Sequence, residues 1–383
     1  MGRSSGTRRP GEAPLRWRLA ETDEAGALFP DETAAERHVG RGEFAGTEFL
    51  HVNARRIING VPAASRMPFH YTINAYRGCS HACRYCFARP THEYLGLGIG
   101  EDFERKIVVK VNAVERLRAE LRAPGWGGDR IAMGTNTDPY QHAEGKYHLT
   151  RGIIEVLGEA ANPFSILTKS TLVLRDLGPL AAAARRAPVQ VDLSIGTLDR
   201  EVWRLTEPGT PPPERRIDAV RRLNEAGIRS GVLVAPVLPG LSDREDQVKE
   251  VIEASRDAGA VSVTVIPLHL RPGVKQHYLD WLSEVRPDLV ALHEARFGRG
   301  SYQPPAEGAR LAALAAAVER HPTSAGRTRG PGDEATGPAG EASGPAASPV
   351  RRGPSPTAAH RPRRPLEDTV ETERADHQQL RLL

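Results

Sequence analysis

Cysteine is nearly absent from this sequence: its 383 residues hold three, all between positions 79 and 86. A small disulfide-stapled scaffold is thereby excluded, and an odd, crowded set of thiols points to a reducing compartment and to metal ligation. Lysine is also scarce, six against 46 arginines, and the formal charge of +4 is too slight to imply a nucleic-acid surface. No run approaches the roughly 20 apolar residues that would span a bilayer, and the mean hydropathy is −0.43. The first 20 residues are basic but lack an apolar h-region, so no secretory signal is read and a cytoplasmic location is expected. Ser/His/Asp order, an HExxH helix and a Walker loop are missing as well. GLGIG (96–100) lacks the preceding strand that a phosphate loop requires.

Composition divides the chain into three parts. Residues 321–383 contain nine Pro, seven Gly and no aromatic residue, which predicts a disordered Pro/Gly/Arg-rich tail. Residues 1–45 read as an irregular N-terminal extension, and the stretch EFLHVNARRIIN after it as a lid on the domain edge. Between them, 46–320 alternates short apolar strands with amphipathic helices, the pattern of an α/β domain with a parallel sheet.

Strands are expected at 71–77, 130–134, 164–168, 189–195, 229–235 and 261–267. Helices are expected at 150–161, 174–187, 213–226, 244–258, 274–284 and 288–295. Gly227 and Gly259 stand just past two of these helices, as C′ glycines do. Residues 106–123 look like an inserted strand and helix. Six consecutive units without a reversal favour a partial (β/α)6 TIM-type barrel, whose chemistry sits beyond the strand C-termini. There the sequence places RGCSHACRYC, TNTDPYQ, KS, GTLD, PGLSD and HLRP in turn.

Cys79, Cys83 and Cys86 have the spacing C-x3-C-x2-C. Three thiolates on one turn bind a metal or a cluster; a 4Fe–4S cube held by three cysteines leaves its fourth iron open. The alternative is a closed zinc site completed by His81 or His92. Otherwise His70, His81 and His92 read as solvent-facing or outer groups.

With the aromatic Tyr85 inside it, the motif resembles the signature of the radical S-adenosylmethionine superfamily. The segments GTNTDPYQHAE (134–144), LTRGIIEVL (149–157), ILTKSTLVLRD (166–176), VDLSIGTLD (191–199), LTEPGTPPPERR (205–216) and LVAPVLPGLSD (233–243) resemble the branch that includes spore photoproduct lyase. The likeness covers about 70–320. It implies a lyase-like enzyme in which the reduced cluster cleaves S-adenosyl-L-methionine to methionine and a 5′-deoxyadenosyl radical. That radical abstracts hydrogen from a substrate. The resemblance also implies a reductant such as flavodoxin or ferredoxin.

Carried over residue by residue, Cys79, Cys83 and Cys86 would hold the cluster. Tyr85 would lie beside the adenine, and Lys169 with Ser194 would hold the methionyl carboxylate. The superfamily's Gly-Gly-Glu stretch is replaced by Met133–Asp138, so Thr135, Thr137 or Asp138 would receive the amino group. Glu207 and Arg216 flank a Pro-rich loop and would serve ribose or carboxylate, or form an ordinary salt bridge. Spore photoproduct lyase uses a further cysteine as hydrogen donor, and this sequence has none. DNA photoproduct repair is therefore an alternative within the enzyme class, and the substrate and catalytic residues stay open. His269 and Arg271 are the substrate-facing candidates. A reading of a different class is a zinc- or cluster-stabilised binding protein without turnover.

Overall fold

The computed structural model describes residues 36–320 apart from 63, 64 and 66. The expected tail at 321–383 and residues 1–35 of the expected extension lie outside the described residues. Eleven strands occur in chain order: β1 (Glu36–Val39), β2 (Glu48–Val52), β3 (Ile58–Gly60), β4 (Tyr71–Ile73), β5 (Tyr76–Arg77), β6 (Lys106–Lys110), β7 (Ile131–Met133), β8 (Phe164–Thr168), β9 (Val189–Ser194), β10 (Val232–Val237) and β11 (Val263–Pro267). They form two sheets. The larger has the order β11-β10-β9-β8-β7-β4-β3, in which β4, β7, β8, β9, β10 and β11 run parallel and β3 closes one edge antiparallel. Six parallel strands in sequential order are the topology of a partial (β/α)6 barrel.

Alternation explains how the sheet is covered. Phe164, Ile166 and Thr168 of β8, and Val189, Val191 and Leu193 of β9, are buried, whereas Ser165, Leu167, Gln190 and Asp192 are half-buried. Side chains of a strand point alternately to opposite faces. The buried set packs with Ile153, Ile154 and Leu157 of helix Leu149–Glu159 and Leu180 of helix Leu177–Ala184. The other set faces the inside of the curved sheet. Helices Pro213–Glu225 and Glu245–Asp257 end at the expected glycines, Gly227 at φ +74° and Gly259 at φ +79°.

The smaller sheet, of order β1-β2-β6-β5, differs from expectation in an informative way. The segment expected as one strand at 71–77 is two: β4 pairs with β7 in the barrel, while β5 pairs with β6 in the small sheet. Residues 74 and 75 carry the chain from one sheet to the other, so the cysteine loop that follows is anchored to both. Residues 36–39, inside the expected irregular extension, form the edge strand β1, and EFLHVNARRIIN supplies β2 and part of β3. Among the described residues, no helix is long and apolar enough to cross a membrane.

A helix that sequence reading did not anticipate, Pro305–Arg320, packs against β11 and helix Glu245–Asp257. Leu311, Leu314 and Val318 are its buried residues and join the main core. Leu311 is completely buried, so Leu311→Ala is expected to cost about 2–5 kcal/mol. The midpoint of urea unfolding reads this; a loss below about 0.5 kcal/mol, typical of a surface change, would show that the helix does not complete the core.

Candidate active site

The cysteine loop leaves β5 through Gly78, which has φ +76°. A Cβ there would lie 2.8 Å from the Phe103 carbonyl and 2.9 Å from the His92 ring, so only glycine fits both the backbone angle and the space. The loop is then held by its backbone. Cys79 N–H donates to Phe103 O at 2.9 Å, and Gly78 O accepts from Thr137 Oγ1 at 2.6 Å and Gln141 Nε2 at 2.9 Å. Gln141 Oε1 accepts from the Ser80 N–H at 3.1 Å.

Arg89 fixes the far side. It is fully buried, and it donates to Cys83 O from Nε (3.1 Å) and Nη2 (2.9 Å), to Ile99 O (2.9 Å), and to Glu104 Oε1 (2.6 Å). The Phe103 ring lies under its guanidinium, 5.3 Å away.

Cys79 and Cys83 are buried and Cys86 is half-buried. Burial raises the thiol pKa of all three; Asp138 adds to the rise at Cys79, and Glu207 at Cys83. A cationic group among them would reverse that preference, because metal binding deprotonates a coordinating thiol outright. Among the described residues, the three sulfurs are not all gathered within 4.8 Å of one another. One tetrahedral zinc with bonds of about 2.3 Å would draw them closer.

Neither His81 nor His92 faces solvent, and each keeps one buried ring nitrogen without a hydrogen-bond partner, Nε2 of His81 and Nδ1 of His92. His81 is buried with Nδ1 3.3 Å from Asp138 Oδ2, and His92 is buried with Nε2 2.9 Å from Lys106 O. His70 is exposed.

Beside Cys83 lies a buried carboxylate, Glu207. Its Oε1 is 3.0 Å from Lys169 Nζ and accepts from the Tyr85 hydroxyl, and its Oε2 is 2.6 Å from Arg216 Nη2. Lys169 Nζ also donates to Ser194 Oγ at 2.7 Å and sits 5.7 Å from the Tyr85 ring centre. Lys169, Ser194 and Tyr85 are thus brought together, as expected. Arg216 is within the same network but spends its guanidinium on Glu207, Thr210 Oγ1 (2.5 Å), Ser194 O (3.0 Å) and Pro211 O (2.9 Å). Burial alone would raise the Glu207 pKa, but Arg216 and Lys169 outweigh it and hold the carboxyl down at about 2.

The residues after β7 are engaged in the scaffold. Asp138 accepts from Thr168 Oγ1 (2.6 Å), Tyr140 N–H (2.8 Å) and Lys169 N–H (2.7 Å), and Thr137 bonds the cysteine loop. Thr135 Oγ1 meets the side chain of Asn74 at 3.2 Å. Gly134 has φ +90°, and a Cβ would fall 2.0 Å from Leu167 O, so this turn runs hard against β8. Sequence reading missed Arg89, Gln141 and Asn74. Gln141 ends the TNTDPYQ cluster and Arg89 stands three residues past Cys86, and those positions were the only signals.

A third group gathers next to Cys86. The Phe87 and His269 rings lie 5.8 Å apart, His269 stacks on the exposed Tyr302 at 5.7 Å, and Arg271 sits 5.4 Å from the Phe87 ring centre.

A six-stranded partial barrel with three cysteines on the turn leading out of its first strands is the plan of a radical enzyme scaffold. The chain belongs to the radical SAM superfamily, whose defining pattern matches residues 73–254. An uncharacterized protein of Mycobacterium tuberculosis is 46% identical over 269 residues, which is 70% of this chain and 79% of that protein. An uncharacterized protein of Methanocaldococcus jannaschii is 32% identical over 200 residues, 52% of this chain and 71% of that protein. Among solved structures, spore photoproduct lyase complexed with dinucleoside spore photoproduct aligns with a TM-score of 0.54 at 21% identity, covering 71% of this chain and 79% of the lyase. That likeness is one of fold. Members of the superfamily typically use a 4Fe–4S cluster and S-adenosyl-L-methionine.

Two outcomes follow from the geometry. Because its pKa is depressed in the folded state, Glu207 contributes stability that is present above about pH 4.5 and lost as pH falls toward 2. The contribution is on the order of 3 kcal/mol; in urea titrations between pH 7 and 2.5 the gap between the parent and Glu207→Gln should shrink with acidity, and a constant gap would refute it. Replacing Arg89 with Ala takes the donor from the carbonyls of Cys83, Ile99 and Gly100 and the close partner from Glu104, at an expected cost of about 3–5 kcal/mol. Arg89→Lys should recover only part of it, since an ammonium cannot reproduce the guanidinium fork. Full recovery by lysine in thermal unfolding would contradict that role.

Proposed function

We propose that the protein is a radical S-adenosyl-L-methionine enzyme whose working unit is the 46–320 barrel domain with β1 added to it. The observation that carries the reading is the juxtaposition of three thiols, two buried and one half-buried, with a largely buried Lys169–Ser194–Glu207–Arg216 network at the barrel mouth. Cys79, Cys83 and Cys86 would hold a 4Fe–4S cluster with one iron left open. When bound, the cluster and S-adenosyl-L-methionine supply reductive sulfonium cleavage and a 5′-deoxyadenosyl radical for hydrogen abstraction.

The chain's own residues bind, orient and exclude. Lys169 and Ser194 offer an ammonium and a hydroxyl to a carboxylate, which is the donor pair such a group wants. Glu207 and Arg216 hold Lys169 toward Tyr85 and the cysteine loop, so the cation is in place before any ligand arrives. Tyr85 lines the same space, and Thr135, Thr137 and Asp138 are nearest in sequence to the position that receives the amino group. Thr137 and Asp138 already bond the scaffold, so they contribute by placing the cysteine loop and Lys169. An electron carrier of the flavodoxin or ferredoxin kind would serve as reductant in the cytoplasm.

A nucleic-acid substrate is favoured by one observation, the Phe87–His269–Tyr302 face flanked by Arg271. Flat aromatic rings beside a cation stack bases and pair with phosphates. Spore photoproduct lyase has been solved with its dinucleoside photoproduct. A radical SAM Nα-GlyT isomerase of Pseudomonas phage M6 is 27% identical over 172 residues, 44% of this chain and 33% of that protein.

The test is anaerobic reconstitution followed by a strong reductant. About four iron per chain and release of 5′-deoxyadenosine are expected; Cys83→Ala should lose both, and Lys169→Ala should keep the iron while release falls at least tenfold. Full iron with no cleavage would leave a cluster-stabilised binding protein, and stoichiometric zinc on the thiols of anaerobically purified protein would replace the cluster reading. Tyr302→Ala should weaken binding of a dinucleotide about tenfold, as loss of one stacking partner does, and unaltered binding would remove the nucleic-acid argument.

A further inference from the structure

The small sheet carries a cluster that the barrel chemistry leaves unused. In β1, Glu36 and His38 are two residues apart and so share a face, and the antiparallel register sets His51 of β2 opposite Glu36 on that face. A carboxylate oxygen of Glu36 and one ring nitrogen each of His38 and His51 all lie within 4.8 Å of one another. The two imidazole rings are 3.9 Å apart. Nε2 of His38 is shielded from solvent and makes no hydrogen bond, although Glu36 Oε1 is 3.2 Å away. Donor atoms that converge in this way face a shared point. His51 Nε2 lies 2.7 Å from the Tyr147 hydroxyl, which fixes the ring as an outer partner fixes a ligating histidine.

We propose that Glu36, His38 and His51 form a second metal site, for one divalent transition ion of the zinc class, clamping the edge strand β1 to β2. Two imidazoles and a carboxylate are a known ligand set for such ions, with the fourth position left open. His38 also lines a cleft of about 530 Å³, together with Arg37, Val39, Arg41 and Lys146. In the sheet order, β1 and the β5 edge that feeds the cysteine loop are three strand spacings apart, about 14 Å. The two sites therefore load independently.

The experiment is zinc titration of the full chain after its cysteines have been filled by anaerobic iron reconstitution, repeated on a Cys79→Ala/Cys83→Ala/Cys86→Ala chain. One equivalent of zinc is expected in both, with a zinc-edge absorption spectrum showing nitrogen and oxygen neighbours, two of them imidazole, and no sulfur. His38→Ala and His51→Ala should weaken zinc binding at least a hundredfold. Tyr147→Phe should weaken it about tenfold. Glu36→Gln tests the same ligand set at an exposed side chain that the fold does not need. Sulfur in the zinc shell, a zinc equivalent that disappears with the cysteines, or unaltered zinc binding in His51→Ala and Glu36→Gln would each overturn the proposal.

Discussion

A carboxylate buried between two cations organises the mouth of the barrel. Glu207 is almost inaccessible, and taking its charge out of water costs several kcal/mol unless partners restore what hydration gave. Arg216 from helix Pro213–Glu225, Lys169 from the end of β8 and the Tyr85 hydroxyl from the cysteine loop do so together. Ser194, at the end of β9, joins through Lys169 and through its carbonyl to Arg216. Four separate chain segments are thus tied at one point, and movement of any of them breaks a bond within the buried network. Rigidity of this kind would serve to hold a small ligand against the loop of three thiols.

The loop itself is fixed by groups other than its thiols. Its entry is gripped by Thr137 and Gln141 through Gly78 O, and its exit by Arg89 through Cys83 O. The preceding residues pass from the barrel sheet to the small sheet within two positions, so the loop inherits two anchors. Backbone placement of this kind positions sulfur atoms by geometry and leaves their chemistry free.

How far the fold was legible depends on what each element needs. The strands β8 and β9 begin and end within a residue of expectation, because Val, Ile and Phe at alternate positions have one stable outcome beside amphipathic helices. The break between β4 and β5 was not legible: alternation across 71–77 is the same whether one sheet or two receives it, and only the partner strand β6 decides. Helix Pro305–Arg320 escaped notice because alanine dominates it, and three buried apolar side chains make too faint a stripe to read.

The cysteines stood out by their spacing, and Lys169 and Ser194 by their place at strand ends within segments that resemble the lyase branch. Arg89 was not, since one arginine among 46 carries no mark of burial. Glu207 and Arg216, readable as an ordinary salt bridge, turn out to be buried, which changes their physical meaning.

The same distribution of contacts bears on how the domain folds. A thiol is nearly apolar when protonated, and burial pushes all three cysteines toward that form. The loop therefore hides neutral groups at little cost, while Arg89, Thr137 and Gln141 hold its shape through their hydrogen bonds. In small metal-dependent modules the ligands are the scaffold, and the chain unfolds without the ion. Here the scaffold is a barrel with its own core of Val, Ile and Leu. A metal group held by the thiols would exchange protons for metal atoms at sites already built, and the free energy of that exchange would go into binding, with little spent on folding the loop.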